Sequence, residues 1–460
     1  MARKPTARRG RRVREMLAED PGLMFRHVLT QDDVEDECRS LGHVWRARVF
    51  TPLVTLWTFL WQVLSVDGSC RDAVARVLSF LAATKGLMAS HDASSYCTAR
   101  KRLPQGLLPS LTTLVSDRLA AKVKPEQLWH GRRVTLVDGS SVQMPDTKEL
   151  QGLYPQPSAQ KPGCGFPVAR LVGLFDLVTG AVRTLAMSAL SVGETTLFRR
   201  LWDALAPGDI VVGDALYGGY ADIALLREQG QDVLFRLHAR RKVSFREGVR
   251  LGRDDRLQTW RKEARPKWMS PEDFAALPQT QEVRTVRYRC PVRGWRPETL
   301  IVVTTLLDPK AFPAEAIASL YLRRWEVETD LGHLKTTLGM EMLRTRSPEM
   351  VEREVWAHLL AYNLVRTVMW DAAERRHVAP LSLSFTGAFQ EMLNLWPFSV
   401  TIARKRDLTN FYEALLRAVA YHKVPHRPYR SEPRLRKRRP KNYSLLGAPR
   451  HECRKQSLPL

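Results

Sequence analysis

The 460-residue chain has no Cys-x-x-Cys pair, and its six cysteines (38, 70, 97, 164, 290 and 453) are scattered. That spacing argues against a zinc ribbon or a disulfide framework and fits a reducing compartment. No apolar run is long enough to cross a membrane. The longest, VFTPLVTLWTFLWQVL (49–64), holds Pro52 and falls short of the roughly 18–20 residues a span needs, so it reads as a buried helix. No Gly-x-x-x-x-Gly-Lys loop points to ATP as an energy source, and the N-terminal segment carries no signal-peptide apolar region. His422 and His426 are four apart, but Pro425 between them rules against a helical metal pair. Acid is also in short supply: 48 Asp and Glu stand against 72 Lys and Arg, a net charge of +24.

What is present is enough apolar residue, 44%, for two to four domains. Much of the excess charge sits in two arms. Residues 1–14 hold seven cations and no acid, and residues 423–441 hold nine cations and one acid, Glu432. Arginine-rich arms on a body that is itself basic favour a polyanion, bound through phosphate contacts and counterion release. A solubilising tail is the plainer alternative.

Residues 15–128 read as helical, with periodic apolar positions through VARVLSFLAATKGLM. SSYCTARKRL (94–103) predicts a short helix whose Arg100, Lys101 and Arg102 form either a solvated face or a face toward a DNA backbone. The pattern changes at Arg133. VTLVDGSSVQM predicts a strand ending at Asp138-Gly139, and LVGLFDLVTGAVRTLAMS (171–188) a hairpin turning at Val178-Thr179-Gly180. ETTLFRRLWDAL (194–205) predicts an amphipathic helix. DIVVGDALYGGY (209–220) predicts a buried strand stopping at Asp214, followed by a helix closed at Gly230 and another strand. This order suits a mixed α/β sheet flanked by helices. Residues 238–297, rich in Arg and Lys and holding Trp260, Trp268 and Trp295, predict a β-rich insertion before the sheet resumes. A long helix is expected from Pro313 to about Arg344, another over 351–375, and helical structure again up to His422. We place boundaries at 1–24 (basic arm), 25–128 (helical N-terminal domain), 129–237 and 298–375 (the two parts of the core), 238–297 (insertion), 376–422 (helical C-terminal region) and 423–460 (basic tail).

Three acids stand out by position: Asp138 and Asp214 at strand ends, where ligand sites of open α/β sheets gather, and Glu328 in the long helix. They are hard oxygen ligands suited to Mg²⁺ or Mn²⁺, and three could hold an ion pair for phosphoryl transfer. Each alone is ambiguous: an Asp-Gly after a strand is usually a turn, and Asp146 and Asp176 look like turn residues. In YLRRWEVETDLGHLK (321–335), a turn of about 100° per residue puts Tyr321, Arg324, Glu328 and Lys335 on one stripe roughly 60° wide. Glu326 and Asp330 point away. The periodicity therefore selects Glu328, although a solvated, salt-bridged face would show the same pattern.

Together these residues resemble the DDE transposases of the insertion-sequence-four type. Tyr321-x2-Arg324-x3-Glu328-x6-Lys335 matches that family's Tyr-Arg-Glu-Lys signature. Asp138 in LVDGSSVQMPD and Asp214 in VVGDALYGGY resemble its first and second Asp, and the resemblance spans roughly residues 25–420. It implies an α/β fold with an RNase H-like catalytic core, a β-rich insertion, a helical DNA-binding domain before it and a helical region after it. It implies metal-dependent cleavage at the ends of an insertion sequence and strand transfer into target DNA, cut-and-paste, often through a hairpin on the transposon end. Asp138, Asp214 and Glu328 would bind two Mg²⁺, with Mn²⁺ as substitute. Arg324 and Lys335 would hold backbone phosphates, with Tyr321 beside them. Partners would be double-stranded DNA, as terminal inverted repeats and target, and a second copy in the synaptic complex, with no membrane. The setting would be prokaryotic cytoplasm, at the nucleoid. Trp260, Trp268 and Trp295 are the candidates to stack a flipped base.

Two other readings use the same residues: an RNase H-like nuclease without strand transfer, and a domesticated DNA-binding protein. If the C-terminal arm binds phosphates nonspecifically, deleting residues 423–460 flattens the dependence of DNA affinity on salt. A titration series across salt concentrations measures this, and an unchanged slope excludes that role.

Overall fold

The structure is a computed structural model describing residues 28–46, 49–85, 90–289, 299–399, 405–424, 448–449 and 452–453. The basic arm at 1–24, Trp295 and nearly all of the C-terminal basic tail lie outside the described residues.

Among the described residues five helices come first: α1 (Gln31–Ser40), α2 (Pro52–Leu64), α3 (Cys70–Lys85), α4 (Ser94–Arg102) and α5 (Leu107–Ala120). The apolar run at 49–64 forms α2. Thr51 accepts a hydrogen bond from the Val54 N–H, and Pro52 opens the helix, a position where its missing N–H costs nothing. Twelve of the 13 residues of α2 are buried, as suits a helix apolar on every side. α4 forms as expected, but Arg100 turns inward. It donates to Gln62 Oε1 at 2.8 Å and lies over the Phe59 and Tyr96 rings. The expected row of three cations is therefore two, Lys101 and Arg102, because an apolar pocket with one amide acceptor holds the third.

The body is a mixed α/β structure built on one nine-stranded sheet. Its strands are β1 (Val134–Gln143), β2 (Val168–Asp176), β3 (Val182–Ala189), β4 (Ile210–Gly213), β5 (Asp232–Arg236), β6 (Val249–Gly252), β7 (Asp255–Arg261), β8 (Thr280–Arg289) and β9 (Thr299–Thr304), in the order β3-β2-β1-β4-β5-β9-β8-β7-β6. β1, β4 and β5 run parallel, and the other pairs are antiparallel. The β2–β3 hairpin turns where expected. Asp176 accepts from the Val178 and Thr179 N–H groups, and Gly180 adopts φ +68°. Strands β6 to β8 fall within the stretch 238–297 expected to be β-rich. They continue the sheet, because β9 pairs with β5 on one side and β8 on the other.

Besides the short α6 (Lys148–Leu153) and α9 (Pro271–Ala276), helices cover both faces. On one face α7 (Glu194–Arg199) and α8 (Tyr220–Glu228) pack, with Phe198 and Ile223 against Val137, Val211 and Val233. On the other lies α12 (Pro348–Arg376), a 29-residue helix buried along most of its length. Asn363 ties it to β3, accepting from the Val182 N–H at 2.9 Å and donating to the Val182 carbonyl at 2.8 Å. Two further helices, α13 (Phe385–Ser399) and α14 (Lys405–Tyr421), pack near α12.

The continuous helix expected from Pro313 to about Arg344 is instead three pieces. α10 (Ala314–Leu322) gives way to α11 (Trp325–Gly332), and α11 runs into a π turn at His333–Thr337. At the first break Arg323, Arg324 and Glu326 donate to carbonyls three residues back, to Leu320, Tyr321 and Arg323. The backbone is overwound there and widened again at the π turn, a departure frequent at functional sites. Packing explains why α11 is set apart. Asp330, 4% exposed, pairs with Arg366 of α12, and Arg366 donates to the Tyr362 hydroxyl at 2.9 Å.

Removing the cation leaves that carboxylate buried without its charge partner. Arg366→Met is expected to cost about 3–5 kcal/mol in urea denaturation, and Asp330→Asn combined with Arg366→Met to cost less than the single change.

Candidate active site

Asp138 lies in the middle of β1, not at its end. β1 continues because β2 pairs with it as far as Gln143 opposite Val168. What stops at this level is β4. Leu136 stands opposite Val212, and two residues further in the same register Asp138 comes opposite Asp214. Neighbouring parallel residues in register present side chains to the same face, so the two carboxylates share one. Asp214 leaves β4 still extended, with φ −76° and ψ 174°, and accepts from the Ala215 N–H at 2.5 Å.

Glu328 reaches this group through Arg324. Arg324 Nη2 donates to Glu328 Oε1 at 2.9 Å, and Nη1 stands 3.6 Å from Asp138 Oδ2. Glu328 is four residues beyond Arg324, the spacing that brings helical side chains together. Burial works against the Arg324 charge, yet Tyr321, Glu328 and Asp138 together hold its pKa above the ordinary value. Its Nε is buried with no hydrogen-bond partner. Tyr321, expected beside DNA, is 5% exposed, and burial pushes its phenol up to about 12. Lys335 sits in the π turn, half-buried. Glu326 pairs with Arg323 at 2.7 Å.

Desolvation pushes the Asp138 carboxyl up to about 6. The Gly139 N–H, donating at 2.8 Å, and Arg324 oppose the rise, while Glu328 and Glu194 add to it. A carboxylate crowded by acids out of water is stabilised by a cation. The donors are hard oxygens, so their chemistry fits a divalent ion of the Mg²⁺ or Mn²⁺ kind. As the side chains stand, no group of three His, Cys, Asp or Glu among the described residues is gathered closely enough to hold a metal. The Arg324 guanidinium takes the cationic place between Asp138 and Glu328.

Sequence reasoning noted Tyr217 only as an aromatic after Asp214 and missed Glu194. Glu194 adds to the rise at Asp138, and burial with Glu194, Asp138 and Asp214 pushes the Tyr217 phenol up, yet Glu194 opens an ordinary amphipathic helix far from Asp138 in the chain. The one local sign was Gly139, where the Glu194 carboxylate packs against the bare backbone. Among the tryptophans, Trp260 is buried under the Arg241 guanidinium, 3.7 Å from its ring centre. Trp268 is 42% exposed, with Arg199 3.7 Å above it.

Residues 129–364, just over half the chain, match the family described as transposase DDE domain. The chain belongs to the DDE transposase family. It is 25% identical over 358 residues to the transposase InsG for insertion sequence element IS4 of Escherichia coli (strain K12), an alignment covering 76% of this chain and 77% of the relative. It is 24% identical over 217 residues to the transposase for insertion sequence element IS231B of Bacillus thuringiensis subsp. berliner, covering 46% and 43%. Among solved structures, that of the piggyBac transposase synaptic complex with hairpin DNA aligns over 90% of this chain and 88% of that one, with TM-score 0.44 and 10% identity. As a DDE transposase of the insertion-sequence-four type, this protein is an enzyme of DNA cleavage and strand transfer whose partner is DNA and whose family generally uses divalent metal ions. No helix among the described residues is long and apolar enough to cross a membrane.

The aromatic candidates separate by burial. Trp260→Ala is expected to lower stability by about 3–5 kcal/mol in urea denaturation, as for a large core side chain, and Trp268→Ala by clearly less. Equal losses would show that Trp260 is not a core residue.

Proposed function

We propose that Asp138, Asp214 and Glu328 are the catalytic triad of this transposase and hold two Mg²⁺ (or Mn²⁺) ions, within an RNase H-like core. The observation that carries the proposal is Arg324, which touches both Asp138 and Glu328 while the β1–β4 register sets Asp214 beside Asp138. Two further facts support it. The strand order β3-β2-β1-β4-β5, with an antiparallel hairpin feeding into parallel strands, is the arrangement expected of such a core. The acids also come from three separate elements, β1, the turn after β4 and α11.

When bound, the ions supply charge that stabilises the attacking and leaving oxygens of an in-line displacement. The chain's own residues do the rest. The three carboxylates would hold those ions in place. Arg324, which pairs with Asp138 and Glu328, would offer its guanidinium to non-bridging phosphate oxygens, where planar bidentate pairing is strongest. Buried Tyr321 supports Arg324, and Lys335, about three turns beyond Arg324, would grip a neighbouring phosphate. Water attacks the phosphorus at the element's end and the 3′ oxygen leaves as a hydroxyl. That 3′-OH then attacks a phosphodiester of the opposite strand, displacing the flanking DNA's 3′ oxygen and closing a hairpin; water reopens the hairpin, and the regenerated 3′-OH attacks a target phosphodiester, displacing the target's 3′ oxygen. Two copies act together on the two ends in a synaptic dimer.

The test is cleavage of a duplex carrying the element's end in Mg²⁺. Glu328→Ala is expected to lose nicking by at least about a thousandfold while a gel shift shows unchanged DNA binding. Retained nicking in the variant would remove Glu328 from the triad.

A further inference from the structure

Behind the Asp138–Asp214 edge stand a fourth carboxylate and a buried phenol that the proposed triad leaves unused. Glu194 is the first residue of α7. Its carboxylate occupies the space a side chain at position 139 would need: a Cβ on Gly139 would lie 2.6 Å from Glu194 Cδ. Gly139 is thus small because Glu194 approaches the β1 backbone beside Asp138. The carboxylate's own counter-charge is thin, since Arg170 Nε stands 3.8 Å from Glu194 Oε1 while Arg170 Nη1 donates to the Val192 carbonyl at 2.8 Å.

The second observation is independent. Tyr217 lies three residues past Asp214 and is 1% exposed. Its ring is clamped edge-on against Phe198, the centroids 5.1 Å apart. Its hydroxyl is buried with no hydrogen-bond partner and lies in the field of Glu194, Asp138 and Asp214. A buried hydroxyl left unpaired is costly, so this one marks a partner gained in another state of the site. DNA cannot reach an atom so enclosed, and a protonated phenol is a poor ligand for a divalent ion. The acceptor left is a neighbouring carboxylate, and Glu194 is the one not otherwise engaged in the triad.

We infer that Glu194 is a positioning carboxylate for the divalent ions of the triad and that the Tyr217 hydroxyl is its donor in the metal-loaded state. Glu194 does not ligate. It adds negative charge behind Asp138, which draws cations into the site and away from Arg324, and Tyr217 holds it in that place. Gly139 keeps the approach open. The inference rests on the triad reading.

The test is calorimetric titration of the full chain with Mn²⁺ alone, without DNA, with thermal melting of every variant in parallel. Glu194→Gln is expected to weaken Mn²⁺ binding about tenfold, the usual effect of an outer carboxylate, with little change in Tm. Tyr217→Phe should weaken it less, by roughly threefold on the same principle. Gly139→Ala, which displaces the Glu194 carboxylate without deleting it, should follow Glu194→Gln. Wild-type affinity in Glu194→Gln, with binding abolished in Asp138→Asn, overturns the inference and leaves the triad standing. Wild-type affinity in Asp138→Asn overturns the triad reading itself. Should Glu194→Gln fail to fold, Gly139→Ala decides: unchanged Mn²⁺ affinity there sinks the inference, and weakened affinity in a folded protein upholds it.

Discussion

The buried pairing of Asp330 with Arg366 sets the orientation of the whole site. A carboxylate out of water needs a cation in contact, and Arg366 is held in place on a helix packed on nearly all sides. Once Asp330 faces that partner, the opposite side of α11 faces the end of the β1–β4 pairing. Glu328 then stands exposed at the site's rim, and Arg324, one turn earlier, reaches both it and Asp138. The overwound step before α11 and the π turn after it let this short helix take that angle without carrying its neighbours along.

The site is a balance of like charges held apart by guanidinium groups. Glu328 and Glu194 both act on Asp138, while Glu194, Asp138 and Asp214 act on Tyr217, and Arg324 and Arg170 answer part of that charge. In a DDE transposase such a balance suits an enzyme whose substrate is itself a polyanion. Carboxylates alone would repel phosphate, and arginines alone would bind it without chemistry. Arg324 stands between two of the acids.

Much of the architecture was legible along the chain. The hairpin at 168–189 shows as two apolar runs around a Gly turn, α2 as a run too short for a membrane and headed by Thr-Pro, and the strands β6 to β8 as a change in composition. Other features were misread because their cause lies far away in sequence. Asp138 looked like the end of a strand, since Asp-Gly-Ser-Ser is turn-like, but pairing with β2 keeps the strand going. Arg100 looked like one of a row of surface cations, but Gln62 and two rings on other helices draw it inward. The helix across Tyr321 to Lys335 looked continuous, because periodicity reports the spacing of residues and not a tightened or widened turn.

The sequence by itself determined the residue types and spacings: which acids could act, that Glu328 and Arg324 lie one helical turn apart, and that the chain resembles DDE transposases. Helical spacing is a local geometry, so it survives in the order of letters. Only the tertiary structure decided that Asp214 lies level with Asp138, that Arg324 bridges two acids, and that Glu194 and Tyr217 crowd the same edge. Those are through-space relations, set by strand register and by the free energy of burying charge, and neither is written in the spacing of residues along one element.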